Sequence, residues 1–332
     1  MEKKFIIGVD GGGTKTDYLL FTTEGEWVDS LHVGSRSHEK LPGGFAEVEK
    51  TVLIDLETLL AKNSINKSQI EAAVFGLAGI DTPAQLAQIT EIIGKSGLNN
   101  FIVANDSVLG IKAGCPSGIG ICSINGTGTV VTGINESGEI QQIGGVGYAS
   151  GDSAGGVYIA SMVIRAVYDY YFRCGLFTSL TDKIMKLFEI SEPLELLNVI
   201  SEQFEQQRNL DISILTILFE AANAEDEVAV NLVCEVSEQL AKSVAGCIKA
   251  LHYEGVPETV LAGSVWTKSK CPLLISHFIE CVHRYSGKRI EPIRLKVIPA
   301  VGAIIWALEL AQLHPATPEQ RLFITEQVGH IG

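Results

Sequence analysis

One pattern occurs twice in this chain and restricts its fold more than any other feature. Phe5 to Val9 reads as a buried strand, Gly11 to Gly13 as a tight turn, and Asp17 to Thr22 as a second strand; Glu24-Gly25 then turns the chain into Trp27 to Leu31. The pattern returns when Ile119 to Ile124 runs into Asn125-Gly-Thr-Gly-Thr129, followed by Val130 to Ile134, the turn Ser137-Gly138, and Ile140 to Ile143. Asp10-Gly-Gly-Gly-Thr14 and Asn125-Gly-Thr-Gly-Thr129 align without gaps, and the turns at Gly25 and Gly138 follow within two residues of register. A β-meander with glycines at its first bend, built twice, indicates an internally duplicated chain.

The segments after each meander indicate what packs on it. Gly44 to Lys62 reads as a helix with Phe45, Val48, Val52, Leu56, Leu59 and Leu60 on one face. A strand over 72–77, a helix over 84–95, a short strand over 101–104 and a short helix over 107–113 complete the first half. The second half turns mainly helical, with helices expected over 153–172, 180–188, 194–207, 212–222 and 225–252. Two β-α units close it: 259–262 with a helix running to about Tyr285, and 293–298 followed by 300–313. Alternation of this kind predicts an α/β fold of mixed sheets flanked by helices. The boundary is expected near Pro116-Ser117, giving an N-terminal lobe over 1–116 joined by the helix of about 300–313, a larger C-terminal lobe over 117–299 with a helical insertion, and a tail over 314–332 with one short amphipathic turn.

Composition limits the function classes. The chain's 332 residues amount to about two domains at ~150 residues each, enough for large cores. Hydrophobic residues (46%) lie in blocks broken by Asp, Glu, Lys, Gly or Pro, which excludes a disordered chain and one that spans a membrane by helices. A formal charge of -14 repels phosphate backbones and anionic lipid, so neither nucleic acid nor a membrane surface is an expected partner. The seven cysteines nowhere form a C-x-x-C pair and read as reduced core residues. The N-terminal apolar stretch, five residues ending at Asp10, lacks the core of a signal peptide, so a cytoplasmic location is expected.

The glycine loops suit a phosphate. Gly11-Gly12-Gly13 exposes backbone N–H groups beside Thr14, Lys15 and Thr16. The P-loop pattern G-x-x-x-x-G-K-S/T fails because Thr14 separates Gly13 from Lys15 and because Asp17 to Phe21 continues as strand. The dinucleotide pattern fails because it must open a helix. What remains is a hairpin phosphate loop, present twice, able to grip one polyphosphate from two sides.

Asp10-Gly-Gly-Gly-Thr14-Lys-Thr16 and Asn125-Gly-Thr-Gly-Thr129 resemble the two phosphate motifs of the actin, Hsp70 and sugar kinase superfamily. Within it the chain resembles the N-acetylglucosamine kinase group, which also includes glucosamine kinases and the ATPase activators of benzoyl-CoA reductase. The resemblance runs from Ile6 to about Leu310 and includes Gly76-Leu-Ala-Gly79, Asn105-Asp106-Ser107, Gly144-Gly145-Val-Gly147, Gly151-Asp152, Leu261-Ala-Gly-Ser-Val-Trp266 and Pro299-Ala-Val-Gly302. It implies two actin-like (ribonuclease H-like) lobes with the active site in the cleft between them, ATP with Mg2+ as cofactor, and a small amino sugar as substrate. The sequence does not specify the oligomeric state and leaves room for a homodimer.

On residues alone, Asp106 reads equally as a catalytic base at a strand end or as a helix cap. The resemblance makes it the base that meets the sugar 6-hydroxyl. It likewise implies that Asp10 orients Mg2+ through water, and that Gly12, Gly13, Thr14, Lys15 and Thr16, with Gly126, Thr127 and Gly128, hold the β- and γ-phosphates. Gly263 and Ser264 then lie under the adenosine, and Ser37, Asn125, Gly145, Val146 and Asp152 face the sugar. Asp152 keeps a helix-cap alternative. His38 is the one histidine near the proposed sugar loop.

The departures from the group touch only the sugar side. Gly-Asp-Glu-Gly becomes Gly151-Asp152-Ser153-Ala154, Gly-Gly-Trp-Gly becomes Gly144-Gly145-Val146-Gly147, and an Asn becomes Ser37. Loss of Trp opens volume, which brings N-acetylmuramic acid in beside N-acetylglucosamine and glucosamine. A redox-partner ATPase needs paired cluster-binding cysteines, and none are present. A non-enzymatic sugar-sensing relative is the other alternative.

Overall fold

The computed structural model describes residues 3–205 and 213–329. The duplicated meanders become β1 (Phe5–Gly11), β2 (Lys15–Thr22) and β3 (Trp27–Gly34) in one sheet and β6 (Gly120–Asn125), β7 (Thr129–Ile134) and β8 (Ile140–Gly144) in the other. Between them lie α1 (Gly44–Lys62), β4 (Ile70–Leu77), α2 (Pro83–Gly94), β5 (Phe101–Ala104) and α3 (Ser107–Gly114). Each meander is antiparallel, and each sheet is extended by parallel strands on the other side of its first strand. The orders are β3-β2-β1-β4-β5 and β10-β9-β6-β7-β8, where β9 is Thr259–Ala262 and β10 Ile293–Arg294. The two sheets therefore share one topology, and the α/β expectation of mixed sheets flanked by helices holds.

Helices α4 (Gly156–Phe172), α5 (Leu180–Leu187), α6 (Leu196–Val199), α7 (Ser213–Asn223) and α8 (Glu227–Ala250) follow the second meander. Their apolar faces, with α9 (Ser264–Lys268) and α10 (Pro272–Ser286), bury Val163, Leu218, Leu240, Trp266 and Phe278 in the largest core cluster. On the first sheet, α1 and α2 cover one face, and α11 (Ala300–Gln312) covers the other by packing Ala303, Ile304 and Ala307 onto Ile6, Leu19 and Val74. Close approach explains two glycines there. A Cβ on Gly8 would lie 2.8 Å from the Ile304 amide, and one on Gly302 would collide with the Leu109 carbonyl oxygen, so β1, α11 and α3 sit nearly backbone to backbone. Val108, Ile111, Cys122 and Val260 then place α3 against the second sheet.

Several elements depart from the expected boundaries. The segment after residue 313 is not a tail but α12 (Pro318–Gly329), with Ile324 and Val328 buried in the cluster under α11. Its start carries reciprocal caps, Thr317 N to Gln320 Oε1 at 2.9 Å and Gln320 N to Thr317 Oγ1 at 3.3 Å, with proline at the first turn. The expected helix to Tyr285 is split because Pro272, which cannot donate from its nitrogen, starts a new helix. The helix expected over 194–207 shortens to α6 and a wider turn over 200–205; residues 206 and 207, and Ile212 of the next helix, lie outside the described residues. Among the described residues no helix is long and apolar enough to cross a membrane.

Candidate active site

Both glycine loops stand at the same edge of their sheets. In the first, Gly12 N donates to Lys15 O (2.8 Å), Ala78 N donates to Gly11 O (2.7 Å) and Ser35 Oγ donates to Gly12 O (3.1 Å), leaving Gly13, Thr14 and Lys15 exposed. The Lys15 ammonium is held by Asp17 at 2.6 Å, and the other Asp17 oxygen pairs with His32 Nδ1 at 2.8 Å. Thr16 is buried, with no partner for its hydroxyl.

The second loop is tied to a helix start. Gly126 N donates to Gly128 O (3.0 Å), while the α4 amides of Gly156 and Val157 donate to Gly126 O (2.8 Å) and Thr127 O (3.3 Å). The first amides of α4 are thus used to hold the loop. Positions where a Cβ would stand on Gly126 or Gly128 face open space, as a phosphate cradle requires. Gly263, at φ +90°, lets the β9–α9 turn press against this loop, since a side chain there would run into the Asn125 carbonyl. Asn125 is wholly buried with neither side-chain amide atom partnered, and Ser264 opens α9 beside it. Orphaned buried amides of this kind are rare and mark a site that polar groups complete.

Two carboxylates face this edge. Asp10 is in register with Gly76 of β4, and Gly76 with Ala104 of β5, so Asp106 lies just beyond the same level of the sheet. Burial first, then the neighbouring Asp17 charge, raise the Asp10 carboxyl to about 6. Burial, then the charges of Asp10 and Asp81, push Asp106 up to about 7. Asp106 stands at the cap position of α3 but makes no side-chain cap; Asn105 Oδ1 accepts from Ser107 N at 2.9 Å instead. The helix-cap alternative for Asp106 therefore does not describe its side chain.

On the expected sugar side, Ser37 is buried against Gly79, where a Cβ would lie 2.8 Å from its hydroxyl. Gly145, at φ +93°, lies beside Asp81 and Gln142, and Val146 is 62% exposed. Asp152 turns both oxygens into the bend, accepting from Gly145 N (2.9 Å) and Gly147 N (2.5 Å). It is too early in the chain to cap α4, which begins at Gly156. Sequence reasoning missed Asp81. The signal was present, because it follows β4 within a few residues as Asp106 follows β5, but no motif singled it out.

The BadF/BadG/BcrA/BcrD ATPase family matches this chain over residues 7–307. The chain is 24% identical over 322 residues to N-acetyl-D-glucosamine kinase of Dictyostelium discoideum, covering 93% of this chain and 99% of that protein. It is 25% identical over 306 residues to N-acetylmuramic acid/N-acetylglucosamine kinase of Clostridium acetobutylicum, covering 92% and 98%. A solved structure from Chromobacterium violaceum has the same fold with a TM-score of 0.61 at 20% identity, covering 93% and 99% of the two chains. The ROK hexokinase of Thermus thermophilus has it at 0.54 and 16%, covering 93% and 97%.

Proposed function

The chain belongs to the BadF/BadG/BcrA/BcrD ATPase family, and from that premise we propose that it is an ATP-dependent amino-sugar kinase acting on the 6-hydroxyl of N-acetylglucosamine or a relative such as N-acetylmuramic acid or glucosamine. The names of its two curated relatives support the substrate class. The observation that carries the reading is Asp106: a carboxyl at a strand end, free of the capping bond its position offers, with its pKa raised to about 7. A base of that pKa takes a hydroxyl proton efficiently near neutral pH.

Asp106 accepts the proton of the sugar hydroxyl as its oxygen bonds to the γ-phosphorus and the bond from that phosphorus to the β–γ bridging oxygen breaks, releasing ADP. The loops at Gly12–Thr16 and Gly126–Gly128 hold the phosphates through their open backbone. Gly263 and Ser264 lie under the nucleoside, and Ser37, Asn125, Gly145, Val146 and Asp152 border the sugar. Asp10 fits a hydrated magnesium: its carboxyl is held above the ordinary range first by burial and then by the Asp17 charge, both of which a cation would offset, and no cluster of three metal-binding side chains among the described residues competes for it. Mg-ATP supplies the phosphoryl group and neutralises its charge. The proposed halves are 1–116 with the helix of 300–312, and 117–299, closing around the substrate. Free, mostly buried thiols agree with a cytoplasmic enzyme.

The test is sugar-dependent ADP release measured over N-acetylglucosamine, N-acetylmuramic acid, glucosamine and glucose. Turnover on an amino sugar, with mass spectrometry locating phosphate at the 6-position, is expected. ADP release independent of every sugar would make the chain an ATPase of another kind.

A further inference from the structure

Asp81, half-buried in the turn after β4, enters the reading above only through its charge on Asp106. Its Oδ1 accepts from Asn105 Nδ2 at 3.1 Å and from Gln142 Nε2 at 2.8 Å. Asn105 immediately precedes Asp106, and Gln142 is on β8 of the other sheet. Asn105 is held on its other sides as well: Nδ2 donates to Ile80 O at 3.2 Å, and Oδ1 accepts from Ser107 N and Oγ. The Ser107 hydroxyl in turn meets the Thr132 hydroxyl on β7. The residues on either side of Asp106 are therefore each fastened to the second sheet, one through Asp81 and Gln142, the other through Ser107 and Thr132. Gly145 lets the bend close over this junction, since a Cβ there would lie 2.9 Å from Asp81 Oδ1 and 2.8 Å from Gln142 Nε2.

We propose that Asp81 is a positioning residue for phosphoryl transfer: it fastens the Asn105–Asp106 turn of the first sheet to Gln142 of the second, so that the base is aimed when the two sheets stand in this relation. The inference rests on the kinase reading above. A half-buried carboxylate oxygen shared by two amide donors makes directional, charge-assisted bonds. A second effect accompanies the first. The Asp81 charge raises the Asp106 pKa, together with that of Asp10 from β1, and Asp106 also faces the Cys122 thiol of β6. Asp81 itself faces Glu39, Asp152 and His38, with burial the main cause of its raised pKa and the Gln142 bond opposing it.

Three variants separate these effects. Asp81→Ala removes both bonds and the charge, Gln142→Leu removes the crossing bond, with the longer 3.3 Å bond to Gly144 O, and keeps the charge, and Asp81→Asn keeps an oxygen acceptor while removing the charge. Misaiming a base by about 1 Å costs up to roughly 100-fold, so kcat is expected to fall roughly 10- to 100-fold in Asp81→Ala and Gln142→Leu while KM for ATP stays within about twofold. Asp81→Asn should recover most of the rate lost in Asp81→Ala, with the acid limb of its kcat profile moved to lower pH. If KM for the sugar rises and the acid limb stays in place, Asp81 is a sugar ligand and the proposal falls; it falls equally if Asp81→Ala keeps the wild-type kcat. Should the wild type phosphorylate no sugar, the kinase reading fails separately, and carbon-13 NMR titration of the Asp106 carboxyl without ligands still decides. A lower midpoint in Asp81→Asn than in wild type supports the coupling, and an unmoved midpoint overturns it.

Discussion

Asn105, not its neighbour Asp106, supplies the side-chain oxygen that holds the start of α3. With Asn105 Oδ1 accepting from the Ser107 amide and hydroxyl, the first turn of α3 is secured without a side-chain cap from Asp106. Asp106→Asn should therefore leave the fold and ATP binding nearly intact while lowering kcat by roughly 10²- to 10⁴-fold, the range for a general base. Calorimetry with ATP and steady-state kinetics check the two halves of this statement. An equal loss of nucleotide affinity would point to a metal-holding or structural role.

The same carboxyl sets a pH dependence. Unfolded, Asp106 and Asp10 ionise near 3.8; folded, they keep their protons to about 7 and about 6. Between those limits the folded state binds more protons, so this contribution to stability is largest at low pH and is lost as pH rises through the folded values. Groups with lowered pKa, such as Asp17 and Asp226, act in the opposite direction, so the difference between variant and wild type isolates Asp106. Asp106→Asn without ligand should melt a few degrees above wild type at pH 8, each pKa unit being worth ~1.4 kcal/mol, and the gap should close towards pH 5. In the wild type, kcat/KM should rise with pH through about 7, the value to which burial and its neighbours bring Asp106.

The two meanders were legible because alternation, turn glycines and aligned loops are local signals, and both glycine loops fall at sheet edges as strand-to-turn reading requires. Beyond its place after a strand, the bonds of Asp81 were not legible, because its partners Asn105 and Gln142 lie 24 and 61 residues away and only the folded sheets bring them together. The engagement of Asp152 by the Gly145 and Gly147 amides was hidden for a related reason: a carboxylate before a helix resembles a cap until the helix start is known. Helix α12 is a different case. Thr317-Pro318-Glu319-Gln320 carries a capping box and a first-turn proline, and the weak apolar pattern behind it obscured a readable start.

Open space and tight contact distinguish two glycines near the second loop. A side chain on Gly126 meets open space at the proposed phosphate loop, so Gly126→Val should fold normally and bind ATP more weakly, as Gly12→Val should on the first loop. Gly263→Ala should instead lose stability, because its φ of +90° disfavours a side chain and the added methyl strikes the Asn125 backbone. Circular dichroism melts and calorimetry on the three proteins check this. Normal ATP affinity in well-folded Gly126→Val would leave only one phosphate loop.

Arg321 fastens α12 to the rest of the protein. Its guanidinium donates to Lys112 O (2.5 Å) and Cys115 O (2.7 Å) at the end of α3 and pairs with Glu309 of α11 at 3.6 Å, with both side chains only 11% exposed. Arg321→Ala takes a charged donor from two carbonyls, of which Cys115 O keeps the Gly118 amide at 2.9 Å, and shifts the load on Glu309 to Lys112, so a loss of about 3 kcal/mol is expected in urea unfolding. Activity at low temperature should survive, because the clamp binds the far end of α3 and not the turn at Asp106.

Val146 is 62% exposed on a bend whose glycines are held by Asp152 and whose base lies against Asp81 and Gln142. On the proposed sugar side, an open bend with a small side chain admits a bulky ring substituent such as the 3-lactyl ether of N-acetylmuramic acid, and Val146→Trp should exclude it. One well-placed steric change is worth ~1 to 3 kcal/mol, so kcat/KM for N-acetylmuramic acid relative to N-acetylglucosamine should fall by roughly 10- to 200-fold under saturating Mg-ATP. Because Val146 contributes only its amide to the bend, bonding Ser150 Oγ at 3.2 Å, the indole can be added without breaking the loop's own hydrogen bonds. An unchanged ratio would mean that the bend does not border the sugar, and the Asp152 carboxylate would then be a loop clamp alone.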